Sequence, residues 1–216
     1  MKKLIALLLA LTFVLGLAAC GNDTANDTTP ATTTEPAETT ENIEDVTEGT
    51  EEFVEETFAP PATNGATDVI NAIWNAVPDD NKFFAMGGDF NNIADNAAGV
   101  YGLEDQEAIT ATLLIPAEQI ANVDEAASLM HAMLANNFTC GAFHVTGDKA
   151  AFVEAMHEAV TNNQWMCGMP EKLIIAEIGE YVLVCFGIND AIAPFEAALA
   201  TAHADAVIKY NEAIGG

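Results

Sequence analysis

The cysteines and histidines are the side chains of this chain best placed by type to do chemistry, and there are four of each. Cys140, Cys167 and Cys185 lie in the C-terminal half, interleaved with His131, His144, His157 and His203. A catalytic thiol needs nearby positive charge to lower its pKa and a base to take its proton. Cys140 or Cys167 with His144 or His157 is the arrangement that would do nucleophilic chemistry. The region is short of positive charge, with only Lys82, Lys149, Lys172 and Lys209 and no arginine anywhere in the chain. The competing reading joins Cys140 to Cys167 in a disulfide, and Cys185, between Val184 and Phe186, reads as a buried thiol. For zinc, Cys140 and His144 are the one closely spaced pair, and no second pair at ligand spacing accompanies them. We therefore assign no catalytic residue, no metal ligand and no cofactor from the sequence.

Oxygen ligands are dense in Asp89-Phe90-Asn91-Asn92-Ile93-Ala94-Asp95-Asn96. A calcium loop of the EF-hand kind needs an oxygen donor at its fifth position and glycine at its sixth, where this chain has Ile93 and Ala94. A turn-rich loop is the simpler reading. Glycine-rich phosphate loops, a Gly-x-Ser-x-Gly elbow and basic aromatic stripes are all missing from the sequence.

The fourth cysteine has a different context. Lys2-Lys3 is followed by an apolar stretch from Leu4 to Leu15, then Gly16 and Leu17-Ala18-Ala19-Cys20. A positive start, an apolar core of about 7–15 residues and small residues before a cut define an export signal. The core is too short for the roughly 20 residues of a membrane-crossing helix. An ordinary signal peptide with an incidental cysteine and an uncleaved anchor are the alternatives. The residues through Cys20 resemble the lipobox of bacterial lipoproteins. That resemblance implies cleavage after residue 19, a lipid attached at Cys20, and tethering to the outer face of the cytoplasmic membrane. Each buried acyl methylene adds about 0.8 kcal/mol, so two or three chains hold firmly.

Three segments follow: a signal over 1–19, the lipidated cysteine and a linker over 20–64, and one domain over 65–216. The linker is built of Thr, Glu, Ala, Pro, Asp and Asn and cannot bury enough apolar surface to offset its ordering entropy, so it reads as disordered. Ile43, Val46, Phe53, Val54 and Phe58 have partly helical spacing and are the residues within it that could dock. The chain holds 33 acidic and 6 basic residues; twelve carboxylates lie between Asp23 and Glu56, which leaves 21 against four lysines in the domain, a net of −17. Such a surface repels nucleic acid and anionic headgroups and leaves neutral ligands, cations or basic proteins as partners.

Within the domain, Val69, Ile70, Ile73, Trp74 and Val77 predict a first helix beginning near Thr67 or Asp68 and stopping at Pro78. A strand is expected over Ile109–Ile115, a helix over Asp124–Asn136, and a strand over Phe138–Val145. A further helix capped by Asp148 presents Phe152, Val153, Met156 and Val160. Lys172–Ile178 and Tyr181–Gly187 predict a hairpin about Gly179-Glu180 in a type II′ turn, with Ile178 opposite Tyr181 and Ile174 opposite Cys185. Both of its faces are apolar, so it should lie centrally in its sheet or be covered twice. Ile192, Phe195, Leu199, Ala202, Ala206, Tyr210 and Ile214 predict one last helix to the end of the chain. The order implies a two-layer α+β sandwich on a mostly antiparallel sheet.

From Tyr101-Gly102-Leu103-Glu104-Asp105 to Gly179-Glu180-Tyr181-Val182-Leu183-Val184, behind the lipobox and acidic spacer, the chain resembles an uncharacterised family of small Gram-positive lipoproteins, a domain of unknown function. The resemblance brings no catalytic residue. The function expected is that of a membrane-anchored extracytoplasmic lipoprotein whose non-catalytic domain binds a protein partner or ligand at the cell surface. A cell-envelope Cys/His enzyme and a solute-binding component of a transporter are the alternatives.

Overall fold

The computed structural model describes residues 64–215. The lipobox, Cys20 and the linker up to residue 63 lie outside the described residues. Among the described residues, four helices, α1 (Gly65–Ala76), α2 (Gln106–Leu113), α3 (Lys149–Thr161) and α4 (Asn189–Ala202), surround eight strands. These are β1 (Ala85–Gly87), β2 (Ala94–Asp95), β3 (Gly99–Val100), β4 (Val123–His131), β5 (Phe138–Val145), β6 (Lys172–Ile178), β7 (Tyr181–Gly187) and β8 (Val207–Ala213). They form one sheet in the order β2-β1-β4-β5-β7-β6-β8, with β3 beside β1 on the same edge of β4, and every pairing is antiparallel. The α+β class and the antiparallel sheet are as expected. Helices lie on both faces of the sheet, so the sandwich has three layers where two were expected: α1 and α4 cover one face through Ile70, Ile73, Trp74, Ile192, Phe195 and Leu199. The other face is covered by α2 and α3 through Ile109, Leu113, Phe152, Val153, Met156 and Val160.

The hairpin forms with the predicted register, Ile178 opposite Tyr181 and Ile174 opposite Cys185. Gly179 has φ 58° and Glu180 does not share a positive φ, the pattern a type II′ turn requires. The hairpin strands are central in the sheet, with β7 between β5 and β6 and β6 between β7 and β8, and both apolar faces are buried because helices cover the sheet on both sides. Helix α3 is capped as predicted, with Asp148 Oδ1 accepting from the N–H groups of Ala150 and Ala151. The cap of α1 falls earlier than expected, at Asn64. Its Oδ1 accepts from Thr67 N–H while Thr67 Oγ1 accepts from Asn64 N–H, so Thr67 is the returning half of a capping box.

Three elements differ from the sequence reading. The expected strand over 109–115 is α2: Asp105 Oδ1 accepts from Ala108 N–H as its cap, and Ile109 and Leu113, one helical turn apart, are its two buried residues. The expected helix over 124–136 is β4, followed by a 3-10 turn at Ala135–Asn137. Ala126, Ala127, Ser128 and Leu129 are buried in succession because helices cover both sheet faces, which erases the alternation that marks a half-exposed strand. The last expected helix ends at Ala202, and Val207–Ala213 becomes β8 against β6. There, β-branched and aromatic side chains meet an available strand edge, and that pairing overrides a helical period.

Polar contacts tie β8 down. His157 Nε2 lies 2.7 Å from Glu212 Oε1, the Tyr210 hydroxyl donates to Glu154 Oε1 at 2.7 Å, and the His157 and Tyr210 rings stack at 3.9 Å. The hydrogen bond to the Glu154 carboxylate raises the Tyr210 phenol above its ordinary value.

Candidate functional site

The residues singled out for chemistry do not assemble. Cys140 is interior to β5 and fully buried, while Cys167 is exposed in the loop before β6. All three described cysteines are free thiols, and the fold does not bring the possible disulfide partners Cys140 and Cys167 together: Cys140 stands directly across from Cys185 inside the sheet, while Cys167 is exposed in a loop. A strand advances about 3.3 Å per residue, so Cys140 and His144, four apart on β5, are about 13 Å apart along it. Among the described residues no hydrogen bond joins a histidine to Cys140 or Cys167. The histidines have other partners. His144 Nδ1 meets Asp124 Oδ1 at 2.5 Å, His131 Nδ1 accepts from the N–H groups of Met133 and Leu134, and His203 Nε2 lies 3.1 Å from the Val69 carbonyl. Asp89 is used by its own turn: Oδ1 accepts from Asn91 N–H and Asn92 Nδ2, and Oδ2 from Gly102 N–H.

Charge is equally committed. Each lysine of the domain has a carboxylate partner: Lys82 with Asp79 at 2.9 Å, Lys149 with Glu180 at 3.6 Å, Lys172 with Glu196 at 2.5 Å and Lys209 with Glu177 at 3.4 Å. The Lys172 hydrogen bond holds the Glu196 carboxyl below its usual range against the opposing effect of burial. A lowered carboxyl pKa contributes stability above the ordinary glutamate range, and that contribution is lost as pH falls through the lowered value. No described lysine is left over to receive a phosphate or carboxylate ligand.

What the fold does build is a cleft of about 320 Å³ lined by Leu114, Asn136, Thr139, Trp165, Met166 and Phe186, among others. Three segments distant in the chain make it. The end of α2 supplies Leu114, the turn entering β5 and the start of that strand supply Asn136 and Thr139, and the loop after α3 supplies Trp165 and Met166. Phe186, on β7, packs beneath at a ring separation of 5.2 Å from Trp165. Asn136 Nδ2 donates to the carbonyls of Met166 and Gly168 at 2.7 and 2.9 Å and so clamps the loop onto the turn.

Two features mark this cleft. The indole Nε1 of Trp165 is shielded from water and has no hydrogen-bond acceptor. A buried donor left unmade costs about 1–3 kcal/mol, and native folds leave few of them. The backbone is strained on both sides: Leu114 (φ 58°) and Cys167 (φ 60°) occupy the left-handed region that glycine normally fills. The rim is apolar, with the Met166 residue 80% exposed. Sequence reasoning passed over Trp165 because its loop has no periodicity. The available signal was a pair of large apolar side chains, Trp165-Met166, in a segment with no element to bury them. An apolar cleft with a few convergent polar groups and an unused donor is suited to holding a small molecule. Comparison with family models, curated proteins and solved structures finds no match to this chain.

Proposed function

We propose that the chain is a membrane-anchored extracytoplasmic lipoprotein whose α+β domain binds a small, uncharged ligand at the cell surface without transforming it. The observation that carries the binding half is the acceptor-less Trp165 Nε1 in a cleft walled by Leu114, Phe186 and Met166. A ligand with an apolar or aromatic body and one carbonyl-type oxygen supplies the missing acceptor. Reaching Nε1 requires a side-chain shift at the rim, where Met166 is unbranched and adaptable. Anionic ligands are disfavoured by the domain's net charge of −17 and by the pairing of every lysine. The Asn136, Asn163, Thr112 and Thr139 side chains around the wall are neutral donors and acceptors.

Heteroaromatic carboxamides, with the matching carboxylates as controls, are the probes of choice, observed through the Trp165 indole N–H resonance. We expect the carboxamides to shift that resonance and the carboxylates to leave it in place. Trp165→Phe removes the donor while keeping most of the ring area, and is expected to weaken binding by about tenfold, the equivalent of one hydrogen bond. Equal binding of the carboxylates, or full affinity in Trp165→Phe, sinks the reading.

The anchoring half rests on Leu17-Ala18-Ala19-Cys20 and the lipoprotein resemblance. Among the described residues no helix is long and apolar enough to cross a membrane. Expression in a bacterial host is expected to leave the protein in the membrane fraction with a lipid-bearing N-terminal cysteine, and Cys20→Ser is expected to abolish that modification. An unmodified terminus by mass spectrometry would refute the anchor while leaving the cleft untouched.

A further inference from the structure

The β5–β7 ladder places Cys140 directly opposite Cys185. In an antiparallel pair, residues that exchange backbone hydrogen bonds alternate with residues that do not, and the latter have the closer Cα atoms, about 4.5 Å apart. The two ends of this ladder show which kind the cysteines form. Val145 N–H donates to Glu180 O at one end, and Ile188 N–H donates to Asn137 O at the other. The pairs 145/180 and 137/188 are therefore hydrogen-bonding, and counting inward in twos makes 143/182, 141/184 and 139/186 hydrogen-bonding as well. Cys140 and Cys185 fall between them, in a non-hydrogen-bonding pair, where side chains on adjacent strands come closest. A separation of about 4.5 Å lies inside the 4.4–6.8 Å range of Cα distances that disulfides span.

From this register we propose that Cys140 and Cys185 form a cross-strand disulfide in the exported protein, leaving Cys167 as the unpaired thiol of the domain. The inference rests on the export reading for its oxidising compartment and on the ladder for its geometry. In the reaction the two thiols lose two protons and two electrons and a sulfur–sulfur bond forms. An exchange oxidant of the disulfide-carrying oxidoreductase class is reduced to its dithiol. One cysteine, as thiolate, first attacks the oxidant's disulfide; the second then displaces the oxidant from the mixed disulfide.

Both sulfurs are enclosed, since Cys140 and Cys185 are each 0% exposed. Burial, together with the neighbouring Cys140 thiol, pushes the Cys185 thiol well above its ordinary value, which suppresses the thiolate in the folded state. Oxidation must therefore accompany folding, when an exported chain is still open to the oxidant. Cys167 differs in being exposed and outside the sheet. The bond would link residues 45 apart in sequence across the central strands, which constrains the unfolded chain strongly.

Full-length protein recovered from the membranes of an exporting bacterium is denatured with iodoacetamide and digested, without reductant. The expected result is alkylation at Cys167 alone, with the Cys140 and Cys185 peptides linked and lighter by two hydrogens. A second arm refolds the reduced chain in a glutathione redox buffer. If the export reading is wrong, the cell-derived protein is reduced but the bond forms on refolding. If the geometry is wrong, it forms in neither arm, or Cys167 takes part. Reduction is expected to lower the melting temperature by on the order of 10 °C. In Cys185→Ala, which removes the bond without burying a hydroxyl, the melting temperature is expected to be insensitive to reductant. Sensitivity that persists there, or alkylation of all three cysteines in both arms, overturns the proposal.

Discussion

Replacing Phe138 by alanine is expected to cost about 3–5 kcal/mol of folding stability, the range for deleting a buried phenylalanine ring. Phe138 opens β5, is fully buried, and lies in a chain of three aromatic contacts, two of them its own. Its ring meets Phe195 of α4 edge-on at 5.0 Å and Phe83 at 4.9 Å, and Phe83 in turn lies 5.0 Å from Trp74 of α1. The substitution removes the group that joins α1, α4 and the sheet, and the rigid strand on which it sits cannot close the gap. Urea unfolding checks this as a fall in midpoint at unchanged slope. Phe90, 91% exposed, is the control: its replacement by alanine is expected to stay within about 0.5 kcal/mol of the parent. A loss below about 1 kcal/mol for Phe138→Ala would mean that this core is wrongly described. Thr139, the next residue, lines the opposite side of the sheet at the cleft, so ligand binding by any folded Phe138→Ala protein should be retained.

Gly87→Ala is expected to rank second, at about 1–3 kcal/mol or more. A Cβ there would meet Ala97 O at 2.3 Å, Gly99 N at 2.3 Å and Ser128 O at 2.6 Å, all of them backbone atoms that cannot rotate aside. Gly87 lies where β1 runs under the return to β3, beside Gly88, whose N–H donates to the buried Ser128 Oγ at 3.0 Å. Adding a methyl group therefore separates β1 from β3 and strains their shared edge of β4. Gly179 supplies the contrast. Nothing lies within 4 Å of a Cβ built there, so Gly179→Ala is limited to the left-handed backbone penalty, about 1–2 kcal/mol at φ 58°. Gly179→Asn should cost less, because asparagine tolerates that conformation. Thermal melts of the three variants check the order; a Gly87→Ala protein as stable as Gly179→Asn would be incompatible with the close approach.

The cleft and the facing cysteines show how features made by tertiary contact escape a linear reading. Leu114, Asn136 and Trp165 belong to segments separated by more than 20 residues each, and they line one cleft only once the chain folds. Cys140 and Cys185 were separable from Cys167 in principle, since the hairpin register around Ile174 and Cys185 was readable. That β5 is the strand flanking β7 was not, because nothing local to Phe138–Val145 names its neighbour.

By itself the sequence determined the elements whose signals are local: the Asp148-capped helix, the strand over Phe138–Val145, and the Gly179-Glu180 hairpin with its register. In each, side-chain type, backbone preference and turn chemistry point the same way. Tertiary contacts settled the identities of Gln106–Leu113, Val123–His131 and Val207–Ala213. The first carries β-branched Ile109, Thr110 and Thr112 yet is helical, because Asp105 caps it and Ile109 and Leu113 find the sheet. The second carries helix-favouring Ala126, Ala127 and Leu129 yet is a strand, because it is paired on both edges and covered on both faces. The third follows a helical period yet completes the sheet against β6. Intrinsic preferences amount to a few tenths of a kcal/mol per residue, whereas burying one large side chain contributes about 1.5–3 kcal/mol, so in the first two segments the partner available in space outweighs the preference written in the chain; β8, largely exposed, is held instead by its backbone ladder to β6.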